Sequence, residues 1–277
     1  APLARGRLGV AAACALVLGF APVASAFSVA QITPAALFFA AAALALVERR
    51  PALAGASLAA GSLFKPLLLI PAILAPALGR PRILLGCALA TGLFSLAATA
   101  TFGASVWRDF LQFGPNTRPP GLATDPVVHS LLAVLLRASG GSAPRGLLAT
   151  LAYPPYLAAA SVMALTTVLV CRKSPKQQGL DRLQFASLLT LALAVYPNTL
   201  YNTLPLVLPA LLVLVAAREH IGFSSRFVCV AAGSCWGLLL IRKLAFLVVL
   251  IAWGLAVAAV AKARPCPKQT PLLEPVR

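Results

Sequence analysis

Residues 52–78 read ALAGASLAAGSLFKPLLLIPAILAPAL, an apolar run interrupted by Lys65 and by prolines at positions 66, 71 and 76. A membrane-spanning helix needs about 20 apolar residues, so the run is too long for one span and too short for two. Proline removes a backbone donor and pushes the preceding residue out of the α region, so Lys65-Pro66 predicts a break between two half-helices. Broken backbone at membrane depth is tolerated only where it lines a cavity or is buried in protein. We therefore expect a re-entrant pair of half-helices that enters and leaves a membrane on one side.

The rest of the chain is equally apolar. Of its 277 residues, 60% are hydrophobic and 10% are charged, and the mean hydropathy is +0.92. This is more apolar material than a soluble core of this length can hide. The continuous Ala- and Leu-rich runs favour an all-α, polytopic transmembrane helical bundle of about eight spanning helices plus the broken pair. The candidate spans are 8–27, 32–47, 83–101, 147–170, 183–199, 203–217, 227–241 and 244–261.

The charged residues are mostly basic, with 23 Lys and Arg against 6 Asp and Glu. They stand in short clusters between the apolar runs, which is typical of charges that orient membrane helices beside anionic lipids, so no nucleic-acid partner is expected. If 52–78 is re-entrant, most clusters fall on the cytoplasmic side, whereas a single span there would place Arg172 and Lys173 outside. The charges therefore predict a multi-pass protein of the cell membrane, with the joints on either side of 52–78 in the cytoplasm.

The domain organisation follows from the same runs. We expect one transmembrane helical domain at 1–261, with a long outer loop at 102–146 whose apolar patch Val127–Leu136 lies at the membrane interface. The proline-rich basic tail 262–277 is expected to be disordered and cytoplasmic. Six cysteines are scattered without a CxxC pair, so neither a metal site nor a disulfide framework is predicted. No cofactor is predicted either. Arg5 and Arg7 precede an apolar run that closes in Ala24-Ser25-Ala26, which imitates a secretory signal peptide, but the polytopic protein that follows favours a spanning helix. The start at Ala1 instead of Met predicts a chain cut from a longer one.

An ionisable side chain inside a bilayer is a candidate for function because its burial there is costly. Lys65 is the clearest case, since no acidic residue stands within a helical turn of it in the sequence. One interpretation is an ammonium at the break of the re-entrant pair that faces a phosphate or pyrophosphate on a lipid carrier. The other is a lysine that snorkels to the outer headgroups.

Other candidates lie towards the predicted outer face. Trp107-Arg108-Asp109 offers an aromatic platform, a cation and a carboxylate, a set suited to a sugar, but an interfacial Trp belt with an Arg anchor fits equally well. Gln31, at the outer start of the second span, either bonds a sugar hydroxyl or caps a helix. Asn202 belongs to a polar aromatic hinge that either binds sugar or simply turns the chain.

Four motifs in order carry a resemblance to a known family. They are Gln31 before a long apolar span, RRPALAG at 49–55, LFKPLLL at 63–69 and FGASVW at 102–107, and a weaker likeness continues through later spans. Together they resemble glycosyltransferase family 87, the polyprenol-phosphate-mannose-dependent mannosyltransferases, which are integral membrane enzymes of the GT-C class. None of the motifs is as specific as a metal-ligand pattern.

The resemblance implies an enzyme that transfers mannose or a related sugar from a polyprenyl-phosphate donor to a lipid or glycan acceptor on the outer face. The cations expected to hold the donor phosphate are Lys65 and Arg108. The side chains expected to line the sugar or acceptor groove are Gln31, Trp107, Asp109 and Asn202. The family also implies a catalytic acid in the first outer loop, but residues 27–31 contain no Asp or Glu. We expect that acid upstream of Ala1, or else a protein that is not catalytically competent.

Two other functions compete with the enzyme. A flippase or transporter of an amphipathic lipid or small anion would use a broken helix with a buried cation equally well. A structural membrane subunit would need no site at all. Transporters usually show two similar halves or polar residues spread through several spans, whereas here the polar residues gather at the predicted outer ends of the helices. That asymmetry favours an enzyme that acts at the outer face.

Overall fold

The computed structural model describes residue 23 and residues 32–113, 128–139, 153–174, 180–197, 199–218, 221–239 and 241–263. Within these ranges the chain is helical apart from its joints and two isolated β-bridges, which confirms the predicted all-α class. Three predictions fall outside the described residues: the first span at 8–27 (except Val23), the position of Gln31, and the tail beyond residue 263.

Proline begins several of the helices, as its fixed φ and missing N–H allow. The helices are α1 (Thr33–Leu46), α2 (Pro51–Ser62), α3 (Leu69–Leu74), α4 (Pro81–Phe102), α5 (Ser105–Phe113), α6 (Leu131–Ser139), α7 (Pro154–Lys173), α8 (Leu180–Val195), α9 (Leu208–Ala216), α10 (Ser225–Leu238) and α11 (Ala245–Ala261). The 3-10 helices Pro66–Leu68 and Ala75–Leu78 flank α3, Tyr201–Val207 leads into α9, and Arg242–Leu244 leads into α11.

Helix α8 lies at the centre of the bundle. It packs against α3, α7, α9 and α11, and residues 183–194 are buried. Its polar side chains are satisfied locally, because the hydroxyls of Ser187 and Thr190 donate to carbonyls of the preceding turn. The side-chain amide of Gln184 donates to the Cys171 carbonyl at 2.9 Å. A helix that is buried on all sides must satisfy its polar groups in this way.

The two ends of the bundle differ in chemistry. At one end, the basic end, Glu48 pairs with Arg182 at 3.4 Å and Arg80 pairs with Asp181. At the opposite end, the tyrosine end, the Tyr156 hydroxyl donates to the Val195 carbonyl at the last residue of α8. The tyrosine end also carries the other three tyrosines of the chain, Tyr153, Tyr196 and Tyr201.

The segment from the joint before α2 to the joint before α4 forms a hairpin. Glu48 precedes α2 and Arg80 follows α3, yet their ion-pair partners, Arg182 and Asp181, are neighbours in the first turn of α8. The chain therefore leaves the basic end in α2 and comes back to it through α3. This is the arrangement that the broken run 52–78 predicts.

Helices α2 and α4 approach until their backbones touch. A Cβ atom added at Gly55 would lie 1.9 Å from the Ile83 carbonyl oxygen. A Cβ atom added at Gly86 would lie 2.0 Å from the Ala52 carbonyl oxygen. Only glycine fits both positions, so small residues allow α4 to pack closely on the hairpin.

Two helices, α4 and α7, are long and apolar enough to cross a membrane. Both leave large apolar side chains exposed, such as Leu89 and Leu93 of α4 and Leu165 of α7, whereas a core helix of a soluble protein would be covered. The other apolar helices, Thr33–Leu46, Pro66–Leu78, Tyr201–Ala216 and Ala245–Ala261, are 10–17 residues long. The structure supports membrane association, while the number of eight spans stays a prediction.

The predicted interfacial patch Val127–Leu136 is packed differently. Helix α6 starts at Leu131, and its residues Leu132, Ala133 and Leu136 are buried against α7 and α8. The Ser130 hydroxyl donates to the Pro197 carbonyl at 2.9 Å and holds the start of this helix on the tyrosine end. Because this contact joins distant parts of the chain, the local apolar pattern alone cannot distinguish a helix in the bundle from one on a membrane surface.

Candidate functional site

Lys65 occupies the break between the two arms of the hairpin. Its backbone is extended, with φ −140° and ψ 97°, as expected for a residue before proline. Its N–H donates to the Gly61 carbonyl at 3.0 Å, and its own carbonyl accepts from the Leu68 N–H at 3.1 Å. The backbone at the break is thereby satisfied on both sides, which allows an irregular segment at this depth.

The break lies deep within the bundle. Helix α2 has 12 residues and rises about 1.5 Å per residue, which puts Lys65 about 18 Å from the basic end. Phe64 stacks on Phe39 with ring centroids 6.1 Å apart, and the Ser57 hydroxyl donates to the Phe39 carbonyl. Phe39 is in the middle of α1, and Lys65 follows Phe64 at the tip of the hairpin, where its side chain is half-buried.

The second predicted cation stands on another element. Trp107, Arg108 and Asp109 are consecutive residues of α5, which follows α4 and packs against it. The Trp107 indole is 36% exposed, and its N–H donates to the Thr99 hydroxyl of α4 at 2.7 Å. Arg108 and Asp109 are exposed. The structure thus holds the Trp107 ring in place and leaves the neighbouring charges open to ligands or headgroups.

Asn202 lies at the tyrosine end in the 3-10 helix Tyr201–Val207. It is half-buried, and its side-chain oxygen accepts from the Thr203 hydroxyl at 3.5 Å. This segment packs against α1, at whose start the hydroxyl of Thr33 is buried. Gln31 precedes α1 by two positions and lies outside the described residues.

A buried histidine that the predicted site did not include packs against Tyr201, the residue before Asn202. His129 is 3% exposed, and its ring lies edge-on to that of Tyr201, with centroids 5.9 Å apart. Its backbone N–H donates to the Thr199 carbonyl at 2.6 Å, which brings the segment before α6 beside the segment that leads into the 3-10 helix Tyr201–Val207. Sequence spacing gives no signal for this pairing, because the two segments are far apart in the chain.

The described residues also form a cavity at the basic end. Its volume is about 750 Å³, and the charged side chains that line it are Glu48, Arg80, Arg82 and Arg172. None of the predicted site residues lines this cavity. The nearest signal in the sequence is the Arg80-Pro81-Arg82 stretch, which contributes two of its three arginines.

No curated protein and no solved structure matches the chain. Residues 2–197, most of the 277-residue chain, match glycosyltransferase family 87. With this match and the exposed apolar faces of α4 and α7, the chain belongs to glycosyltransferase family 87 and is a membrane glycosyltransferase.

Proposed function

We propose that this protein transfers mannose or a related sugar from a polyprenyl-phosphate donor to a lipid or glycan acceptor at the tyrosine end. The observation that carries the proposal is the half-buried Lys65 at the break of a helical hairpin, in a chain of a glycosyltransferase family. A cation at membrane depth is costly unless it serves an anionic partner. The phosphate of a polyprenyl carrier is such a partner, because it lies at the boundary between headgroups and hydrocarbon.

In the transfer, the bond between the anomeric carbon and the phosphate oxygen breaks, and a bond to the acceptor oxygen forms. The leaving polyprenyl phosphate gains negative charge as the sugar becomes oxocarbenium-like. Lys65 stabilises that charge as a compact ammonium, and Arg108 does so through its planar guanidinium. The proton of the acceptor hydroxyl passes to a base that we do not assign to a described residue.

The proposed sugar and acceptor groove is lined by α5, by the 3-10 helix Tyr201–Val207 and by the segment before α1. Trp107 supplies an aromatic face whose orientation is held by the bond to Thr99. Asp109 and Asn202 supply acceptors and donors for hydroxyl groups. Gln31 is proposed to take part from the segment before α1.

The orientation of the chain follows from its charges. Most of the described basic residues gather at the basic end, for example at the joint before α2, at the start of α4 and at the end of α7. Positive residues mark the cytoplasmic side of a membrane protein, and aromatic residues are enriched at membrane interfaces. We therefore propose a multi-pass protein of the cell membrane with the basic end in the cytoplasm and the sugar site on the opposite side.

The test is sugar transfer by the purified full-length protein in lipid nanodiscs, with a radiolabelled polyprenyl-phosphate mannose as donor and membrane glycolipid as acceptor. Lys65→Met is expected to abolish transfer, because removing a cation from a phosphate site of low dielectric costs about 2–5 kcal/mol of binding free energy. The matched control is Lys243→Met, which removes an exposed lysine near the start of α11.

Two results would contradict the proposal. If the folded Lys65→Met variant transfers sugar as well as the wild type, Lys65 does not bind the donor and only extends its ammonium to the headgroups. Absence of transfer by the wild type, together with movement of the labelled lipid between leaflets in proteoliposomes, would favour the flippase. Size-exclusion profiles of wild type and variants show whether a loss of activity comes from misfolding.

A further inference from the structure

The cavity at the basic end carries positive charge that the proposed transfer does not use. Three arginines line it, and the ion pairs to α8 involve only one of them, Arg80. Arg82 and Arg172 are exposed, and within the described part of the chain neither forms an ion pair. The Nε atom of Arg80 is buried and has no hydrogen-bond partner among the described residues. Guanidinium donors therefore remain for a ligand.

Two helix N-termini add to this charge. Helix α2 begins at Pro51 and α4 at Pro81, and both prolines line the cavity. Neither helix has a side-chain hydrogen bond at its N-cap or an acidic residue in its first turn. The N–H groups of the first turn and the positive end of the helix dipole are thus left uncompensated by these helices. Such ends favour anions.

We propose that this cavity binds a phosphate ester, held by Arg82 and Arg172 at the N-terminal turns of α2 and α4. The planar guanidinium group matches pairs of phosphate oxygens. The cavity volume of about 750 Å³ leaves room for a headgroup beside the phosphate. Because Lys65 lies about 18 Å away along α2, one phosphate cannot contact both places. The site is separate from the proposed transfer site and does not depend on it.

The same chemistry has two possible sources, an anionic phospholipid of the leaflet at the basic end and a soluble phosphate ester. Native mass spectrometry of the full-length protein in detergent, with phosphatidylglycerol or phosphatidylcholine added, tests the lipid. Calorimetric titration with glycerol 3-phosphate tests the soluble ester. The binding variant is Arg82→Gln with Arg172→Gln. The matched control is Arg49→Gln with Arg226→Gln, which removes two exposed arginines that do not line the cavity.

The wild type is expected to bind phosphatidylglycerol in preference to phosphatidylcholine, or to bind glycerol 3-phosphate, and either result supports the site and identifies its source. The binding variant should weaken that binding at least tenfold, while the control changes it less than twofold. Equal weakening in both variants would show that binding depends on the overall positive charge of the surface and not on Arg82 and Arg172, and would overturn the proposal. Binding that survives in a correctly folded binding variant, or absence of binding of both probes to the wild type, would also overturn it.

Discussion

The guanidinium of Arg80 forms an ion pair with the carboxylate of Asp181, which joins the returning end of the hairpin to the first turn of α8. Both side chains are about one fifth exposed, at 21% and 19%. The contact anchors the end of the broken segment on the central helix. It sets the register of the hairpin against the bundle and so helps to place Lys65 at its depth.

Removing the acid of this pair should destabilise the protein. In Asp181→Asn the Arg80 guanidinium loses its partner in a largely buried position, and α8 loses a favourable charge in its first turn. The expected loss is about 1–3 kcal/mol, between the values for exposed and buried pairs. Thermal unfolding of the purified protein in detergent measures it.

Glu48→Gln serves as the control for that experiment. The Glu48 side chain is 13% exposed, but its partner, Arg182, is 45% exposed, so solvent screens this ion pair from the arginine side. The expected loss is about 1 kcal/mol or less. An equal loss from Glu48→Gln and Asp181→Asn would show that the Arg80–Asp181 pair stabilises the protein no more than the Glu48–Arg182 pair does.

The close approach of α2 and α4 should not tolerate a methyl group. Gly86→Ala would place a Cβ atom 2.0 Å from the Ala52 carbonyl oxygen, so one backbone must shift. The expected loss is about 1–3 kcal/mol, the cost of overpacking. Gly92→Ala, in the same helix, meets no atom within 4 Å and should leave the stability unchanged or slightly raised. Thermal unfolding compares the two, and equal midpoints would contradict the packing.

Arg108→Lys separates phosphate binding from membrane anchoring. Lysine preserves the charge and the anchoring but loses the planar fork that grips two phosphate oxygens. If Arg108 binds the donor, the affinity for polyprenyl-phosphate sugar should fall by about 1–3 kcal/mol, roughly ten- to a hundredfold. The donor dependence of sugar transfer measures this change. Arg226→Lys, at the basic end, is the control, and an Arg108→Lys variant that behaves like it would remove Arg108 from the site.

The hairpin predicts a definite pattern of accessibility. In a cysteine-free protein, single cysteines at Arg49 and Ala77 should react with a membrane-impermeant thiol reagent from the same side, because both exposed positions belong to the basic end. A cysteine at Lys243, which precedes α11, should react from the opposite side. Labelling of Arg49→Cys and Ala77→Cys from different sides would mean that residues 52–78 cross the membrane once.

Much of the architecture follows from local features of the sequence. Proline after Lys65 disfavours the α region for that residue, so the break has a steric cause between two neighbours. The apolar runs predict helices because helix formation and membrane partition depend on a window of about 20 residues. The charge clusters predict which joints share one end, and the ion pairs of Glu48 and Arg80 agree with that sidedness.

The tertiary structure decided what depends on residues far apart in the chain. The central position of α8, the burial of α6 and the contact of His129 with Tyr201 each need segments that no local pattern pairs. The arginine cavity likewise exists only because the starts of α2 and α4 and the end of α7 meet at one place. Helix propensity, hydropathy and proline geometry act over a few neighbouring residues. Cavities and long-range ion pairs depend on which helix surfaces pack together, and many apolar helix surfaces in this chain are nearly equivalent. The sequence alone therefore determined the helical class, the break at Lys65-Pro66 and which of these joints share one end, and packing decided which side chains share a site.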